Sequence, residues 1–310
     1  MPRPLLVDAD LVASGDVRGY LPEWLSDLRA SGRAVRTRQT YQEAVEMFAA
    51  FLLERGLPTR IIDLGAEHVR AWINSLADRG MASTTQAARY AALRSFFAFL
   101  VREGELTVSP MAATKPPAIA EVPVPIIAAD QYGAIRRACT GRSFEAIRDR
   151  ALLDFMWTTG CRRAEVAGML RDDVAFRPEG GGVARVTGKG ARPRDVAFDT
   201  EAGASLKSYL RTRATRPQAA QDALWLGVRG PLTGSGIAQA LRGRARSAGV
   251  ADFHLHRLRH SWAHHMKMTG HTDETTATLG GWRSPRMLQR YGRSAATERA
   301  IDAYFTRPPR

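Results

Sequence analysis

Cysteine is nearly absent from this 310-residue chain, which carries only Cys139 and Cys161. Two cysteines supply neither a disulfide framework nor a CxxC metal spacing. They exclude a small disulfide-stapled secreted domain and favour a reducing compartment, the cytoplasm. Long apolar runs are also missing. None reaches the roughly 18 residues of a membrane span, so no membrane partner is expected. The N-terminal stretch Met1-Pro2-Arg3-Pro4-Leu5-Leu6-Val7-Asp8 acquires an acid too early for a signal peptide. Acidic charge is scarce against basic, with 31 Asp and Glu facing 45 Lys and Arg, a formal net charge of +14. Lysine itself is rare, only four of those 45. A GC-rich genome explains arginine over lysine, but not the excess of base over acid.

What is present is ordinary globular material, 45% apolar and 25% charged, which excludes a disordered chain. The length suits two domains, each with its own core. The charge is unevenly placed. Residues 16–110 hold 12 basic and 11 acidic residues, whereas residues 126–310 hold 31 basic and 17 acidic. A polyanion such as nucleic acid is therefore the expected partner, mainly of the C-terminal half.

Between the halves, Pro110, Pro116, Pro117, Pro123 and Pro125 crowd one short segment. Proline fixes φ and removes backbone donors, so this stretch is read as an extended linker. Upstream the pattern is helical throughout. Tyr41, Val45, Phe48 and Leu52 recur at helical spacing, with Gly56 where a C-terminal cap belongs. Ser83-Thr84-Thr85-Gln86 resembles a capping box opening a helix that lines up Tyr90, Leu93, Phe97 and Leu100. Shorter helices near 20–30 and 66–79 complete an all-α bundle of about four. Downstream, helices are expected at 129–140, 143–159, 200–213, 235–248, 256–269, 273–280, 285–291 and 297–305. A small β-hairpin is expected over 183–198, its turn holding Gly188-Lys189-Gly190.

Several polar residues have chemistry beyond solubility. His256 and Arg259, three apart on a helix, share a face and can converge on one group. An arginine fork suits phosphate oxygens, and the histidine can donate to phosphate or accept a proton. The plain alternative is a basic amphipathic helix. Six of the seven histidines lie between 254 and 271, and His256, His260 and His264 share one face at a spacing that can ligate zinc. No acid sits among them, HExxH is absent, and Arg257 and Arg259 would repel a cation, so no metal is expected. Arg162 follows a Thr-Thr-Gly break and begins a short helix, with Glu165 at an offset that can orient an arginine or the histidine; a surface salt bridge is the alternative. Lys189 is notable in a chain that chooses arginine about ten to one. Only lysine can lose its proton near neutral pH, as a general acid for a leaving alkoxide requires. Trp282 and Tyr291 would face opposite sides of one straight helix at about 100° per residue. Ser284-Pro285 between them supplies a cap and a new helix start, so the chain can turn and bring both to one site.

These segments, in order, resemble the motifs of the tyrosine recombinase (phage integrase) family, which includes Cre and the Xer recombinases. The similarity runs from about residue 18 to Arg310. Thr159-Gly160-Cys161-Arg162-Arg163-Ala164-Glu165 resembles the first arginine box. Gly188-Lys189-Gly190-Ala191-Arg192-Pro193-Arg194 resembles the β-hairpin lysine motif. His256-Arg257-Leu258-Arg259-His260-Ser261 resembles the second box, and Leu279-Gly280-Gly281-Trp282 through Tyr291 the last box and the nucleophile. Many members carry histidine nine residues before the tyrosine; here Trp282 stands there, as in the Cre-like variant.

The resemblance implies a mainly α fold. An N-terminal all-α, SAM-like core-binding bundle is expected at 16–108 and a proline-rich linker at 109–125. A mixed, mostly helical catalytic domain with a small β-sheet would occupy 126–310, ending in an exchange helix at 297–306. It implies attack by Tyr291 on DNA to give a 3′-phosphotyrosine. Arg162, Arg259 and Trp282 would stabilise the transition state, Lys189 would protonate the leaving 5′-oxygen, His256 would assist proton transfer, and Glu165 is the acid accompanying Arg162. No cofactor, metal or ATP is implied. Arg192, Arg194, Arg242, Arg244, Arg246 and Arg257 are expected DNA contacts on a double-stranded, core-type recombination site. A homotetramer is expected, exchanging C-terminal helices through a stripe of Ala300, Ile301, Tyr304 and Phe305. No arm-type DNA-binding module is expected ahead of the core-binding helices. The implied role is that of a mobile-element integrase or a Xer-like resolvase; the alternative is a catalytically inactive DNA-binding regulator of the same fold.

Overall fold

A computed structural model of the chain describes residues 15–119, 125–188, 192–282, 301, 304 and 305. The chain divides between Glu121 and Val122 into two compact units, each with its own core.

In the first unit, helices α1 (Leu21–Ala30), α2 (Val35–Glu54), α3 (Ala66–Asp78) and α4 (Ser83–Arg102) form the expected all-α bundle. The α2 stripe buries Val45, Phe48 and Leu52. The helix stops because Gly56 takes φ +62, and the Leu57 N–H reaches back to the Leu52 carbonyl at 2.8 Å. Trp24, Phe48, Trp72, Phe96 and Phe97 fill the centre. Trp24 meets Phe96 edge-on at 5.2 Å, and Phe48 meets Trp72 at 5.3 Å. Each buried Phe contributes about 1.5–3 kcal/mol, so this cluster dominates the unit. The expected capping box is displaced. The extended cap residue of α4 is Ala82, Ser83 is already helical, and the Gln86 amide donates to the Met81 carbonyl at 2.7 Å. The start of the proline-rich segment belongs to this unit. Met111 is buried in its core, and the Tyr90 hydroxyl donates to the Thr114 carbonyl at 2.9 Å.

The second unit contains α5 (Ala129–Ala138), α6 (Phe144–Thr159), α7 (Arg163–Ala167), β1 (Val174–Phe176), β2 (Gly182–Gly188), β3 (Arg192–Phe198), α8 (Thr200–Ala214), α9 (Gly234–Ser247), α10 (Leu255–Met268) and α11 (Asp273–Gly280). The strands form an antiparallel sheet in the order β1-β2-β3. The hairpin register runs from Gly182 opposite Phe198 to Gly188 opposite Arg192. Strand β1 is too short to show a two-residue period in the sequence, and it is held by pairing with β2. Helix α6 is the axis of the unit, with Ala151, Leu152, Leu153, Phe155 and Met156 all buried. Its buried acids are satisfied. Asp154 accepts from Tyr132, Arg136 and Ser205, and Asp149 from Arg148 and Arg244. Helices expected at 285–291 and 297–305 lie outside the described residues, apart from Ile301, Tyr304 and Phe305, which are helical and exposed. Among the described residues, no helix is long and apolar enough to cross a membrane.

Candidate active site

The site begins where α6 ends. Gly160 takes φ +59, and a side chain there would collide with the Trp262 ring, so only glycine allows the chain to turn. Buried Cys161 follows, with its thiol pushed up to about 11 by burial. Arg162 then caps α7. The Glu165 carboxylate reaches back to the Arg162 N–H at 2.8 Å, closing the N-terminus of this short helix, and also accepts from Arg162 Nη1 at 2.8 Å.

Glu165 is 3% exposed, and two arginines share it. Arg194 grips it with both ends of its fork, Nη1 to Oε1 at 2.9 Å and Nη2 to Oε2 at 2.8 Å, while its Nε donates to the Leu279 carbonyl at 2.8 Å. Burial alone would raise the Glu165 pKa. The hydrogen bonds from Arg194 and from the backbone and side chain of Arg162 outweigh it and hold the group at about 2.

Arg259 projects from α10 and is 1% exposed. Its Nη1 donates to the Gly160 carbonyl at 2.8 Å and its Nη2 to the Gly280 carbonyl at 2.5 Å. Its guanidinium lies over the Trp282 ring, 4.2 Å from the centroid. Trp282 in turn packs on Trp262 at 5.8 Å. Gly281, at φ +64, ends α11 and turns the chain toward Trp282. The first and second arginine boxes therefore meet at Gly160, and the last box joins them through Gly280 and Trp282.

His256 sits one helical turn before Arg259, on the exposed side. Loss of water around the ring, and the charges of Arg259, His254 and Arg162, hold it below the ordinary histidine value. His260 meets it edge-to-face at 4.3 Å and is pushed down to about 3 by burial and by His256, Arg259 and His254. Among the described residues, no three His, Cys, Asp or Glu side chains converge as metal ligands would.

Arg162, Glu165, Arg259, His256 and Trp282 thus come together from segments far apart in sequence. Lys189 and Tyr291 lie outside the described residues. Gly188, just before Lys189, packs on Glu165, whose Oε1 lies 3.4 Å from where a Cβ would stand.

The six arginines expected on DNA divide by geometry. Arg192 is exposed, as are Arg242 and Arg246, four apart on one face of α9. The other three have partners within the fold. Arg194 holds Glu165. Arg244 lies on the inner face of α9 and holds Asp149 at 2.9 Å and the Ala138 carbonyl at 3.1 Å. Arg257 is buried and donates to the carbonyls of Ile126, Asp252 and Ala251. A signal for Arg194 was present in the strand period. Residues 194, 196 and 198 share one face, and Val196 and Phe198 are buried core residues.

The chain matches the model of the phage integrase family over residues 125–298 and that of the phage integrase N-terminal SAM-like domain over residues 21–104. It is 31% identical over 270 residues to the tyrosine recombinase XerC of Mycobacterium tuberculosis, covering 84% of this chain and 88% of the relative. It is 28% identical over 279 residues to the tyrosine recombinase XerD of Corynebacterium glutamicum, covering 83% and 90%. Its fold is similar to that of the XerH site-specific recombinase bound to palindromic difH substrate in a post-cleavage complex. That match has a TM-score of 0.74 and 17% identity, covering 93% of this chain and 84% of the other. It is also similar to a lambda integrase tetramer bound to a Holliday junction, with a TM-score of 0.67 and 21% identity, covering 89% and 77%.

Proposed function

Because the chain belongs to the phage integrase family of tyrosine recombinases, we propose that it is a site-specific recombinase that cuts and rejoins double-stranded DNA through Tyr291. The observation that carries this reading is the meeting of Arg162 and Arg259 at the Gly160 turn, with His256 within the field of both charges. Two guanidinium groups and an imidazole gathered from distant segments are what a phosphodiester with developing charge needs.

The Tyr291 hydroxyl attacks the scissile phosphorus, so a Tyr–O–P bond forms as the bond to the 5′-oxygen breaks. His256, kept neutral by its surroundings, accepts the tyrosine proton, and Lys189 gives a proton to the leaving 5′-oxygen. Arg162 and Arg259 neutralise the non-bridging oxygens. The Gly160 and Gly280 carbonyls occupy two of the five Arg259 N–H donors and fix the plane of the fork. The Trp282 indole adds a donor to the same oxygens. In the second step a 5′-hydroxyl attacks the phosphotyrosine and releases Tyr291. Each step exchanges one phosphodiester for another, so neither ATP nor a metal ion is consumed or required.

The first unit acts as the core-binding domain, and exposed Arg192, Arg242 and Arg246 contact the duplex. The protein works as a tetramer in the cytoplasm, with subunits joined through exchange of the segment holding Ile301, Tyr304 and Phe305, all exposed here. Its biological role is that of a mobile-element integrase or a Xer-like resolvase. An inactive regulator is disfavoured because every position of the catalytic set holds a competent residue.

The test is a nicked suicide duplex carrying candidate attachment sequences from beside the gene. The wild-type protein forms a denaturant-stable adduct in EDTA and without ATP, and Tyr291→Phe binds the duplex but forms none. An adduct that persists in Tyr291→Phe overturns the nucleophile, and one that requires a divalent ion overturns the mechanism.

A further inference from the structure

We infer that Arg194 is a positioning residue for strand transfer, holding Arg162 through Glu165 and the Gly280–Trp282 turn through the Leu279 carbonyl. The inference rests on the recombinase reading above.

Arg194 stands where the strand period calls for a core side chain. It is opposite Val186 and shares its face with Val196 and Phe198, and its side chain is only 13% exposed. A buried guanidinium is costly unless paired and hydrogen-bonded, and here all three of its nitrogens have acceptors. The acceptors lie on two different elements, α7 and the end of α11. Those elements adjoin Arg162 and Trp282, two of the residues that contact the phosphate in the proposed reaction.

The geometry is specific to an arginine. Glu165 accepts four hydrogen bonds, two from Arg162 and two from Arg194. Arg162 alone gives each carboxylate oxygen a single bond, Oε2 from its backbone N–H and Oε1 from Nη1, and Arg194 adds a second to each. The bidentate fork fixes the carboxylate plane, and with it the direction in which Arg162 presents its remaining N–H groups. The Nε bond to Leu279 anchors the peptide next to Gly280, whose carbonyl accepts from Arg259. Gly281 gives the arginine its path, because Arg194 Cδ, Nε and Cζ all lie 3.1 Å from where a Cβ would stand. On its own strand, Arg194 lies two residues beyond the hairpin position Arg192, which pairs with Gly188, the residue before Lys189. One side chain thus ties the strand that follows the hairpin to the segments bearing Arg162 and Trp282. Lysine could keep the charge but not the fork.

The experiment compares wild type with Arg194→Lys and Arg194→Gln, each shown by circular dichroism to be folded at the assay temperature. Single-turnover adduct formation is measured at saturating DNA on two suicide duplexes. One carries the natural phosphodiester at the scissile position and the other an uncharged methylphosphonate. DNA affinity is measured across a salt series. Both variants are expected to bind within about threefold of wild type yet cleave the phosphodiester roughly 10²-fold more slowly, the scale of an ångström's misplacement of a catalytic group. Arg194→Lys should recover part of the loss seen in Arg194→Gln. Relative to wild type, the defect should shrink at least tenfold on the methylphosphonate, which lacks the charge that Arg162 must neutralise. Equal defects on both duplexes overturn the inference. So does a normal rate at saturation combined with a salt slope lower by about 0.9, the mark of a simple phosphate contact. If wild type cleaves and the variants cleave equally well, this inference alone fails. If wild type forms no adduct, the function on which it rests fails with it.

Discussion

The Arg259 guanidinium lies over the Trp282 ring, 4.2 Å from its centre, and both side chains are buried. The ring face attracts the cation, an interaction worth about 2 kcal/mol when desolvated, and it also sets the height of the guanidinium above Gly160. Under the proposed mechanism Trp282 has two separable tasks, an aromatic face under Arg259 and an N–H for the phosphate. Trp282→Phe keeps the face and loses the donor. It should fold and bind DNA, yet form the covalent adduct about 10²-fold more slowly, the scale for loss of one transition-state donor. Trp282→Ala loses both and should also lower stability by about 3–5 kcal/mol. Single-turnover cleavage and denaturant melts read the two effects apart; unaltered cleavage in Trp282→Phe removes the indole N–H from the mechanism.

Gly280→Ala offers an unusually clear test of sign. In an open helix, alanine is favoured over glycine by up to about 1 kcal/mol. Here a Cβ at 280 would run into the six-membered ring of Trp282. Overpacking of this kind costs about 1–3 kcal/mol and would displace the ring from Arg259. The variant should melt below wild type and cleave more slowly with little change in DNA affinity. A higher melting temperature would refute this packing.

Half-buried His260 and buried Glu165 make stability depend on pH in separate windows. His260 titrates at about 3 in the folded chain, against an ordinary value of 6.5. Between those values the unfolded chain binds the extra proton, so stability is complete above 6.5 and declines as pH falls toward 3. Glu165 titrates at about 2 against 4.5, so its contribution is complete above 4.5 and is lost as pH falls toward 2. That shift corresponds to about 3 kcal/mol. Melting curves from pH 7 to 3 should show His260→Gln flattening the decline below 6.5. Glu165→Gln should be less stable at pH 7, with the gap to wild type narrowing only below 4.5. Parallel curves for all three proteins would contradict the assignment.

The arginines first expected on DNA divide into exposed ones, proposed to contact the duplex, and ones that hold the fold. Arg242→Ala and Arg246→Ala should weaken DNA binding and lower the salt slope by about one each, leaving melting unchanged. Arg257→Ala removes three hydrogen bonds to backbone carbonyls, and Arg244→Ala leaves buried Asp149 with Arg148 as its remaining arginine partner. Both should lower the melting temperature without changing the salt slope of whatever folded protein remains. Filter binding across salt, alongside thermal melts, checks the division. A salt effect from Arg257→Ala would place it back on the DNA.

Much of this could be read from sequence because it is locally encoded. The α2 stripe and its Gly56 stop, the Ser143 start and Gly160 end of α6, and the β2–β3 hairpin all follow from residues within one turn or one pleat of each other. The α4 cap was misplaced by one residue because Ala82 and Ser83 compete for the extended position, and only the backbone settles which takes it. Strand β1 left no period because three residues cannot show one. Arg162, Glu165, His256, Arg259 and Trp282 were visible through motif order, a property of the chain and not of its packing.

Sequence alone was enough for the division into two units, the helices among the described residues, the excess of positive charge in the C-terminal half and the order of the motif boxes. These depend on side-chain period, composition and spacing, all written along the chain. Which arginines face inward became visible in the folded chain. The partners of Arg244, Arg257 and Arg194 lie 95, 131 and 85 residues away, at Asp149, Ile126 and Leu279. A guanidinium looks the same in sequence whether it meets water, phosphate or a buried carboxylate. Its role is set by which acceptors the fold brings within 3 Å and how much water the fold removes.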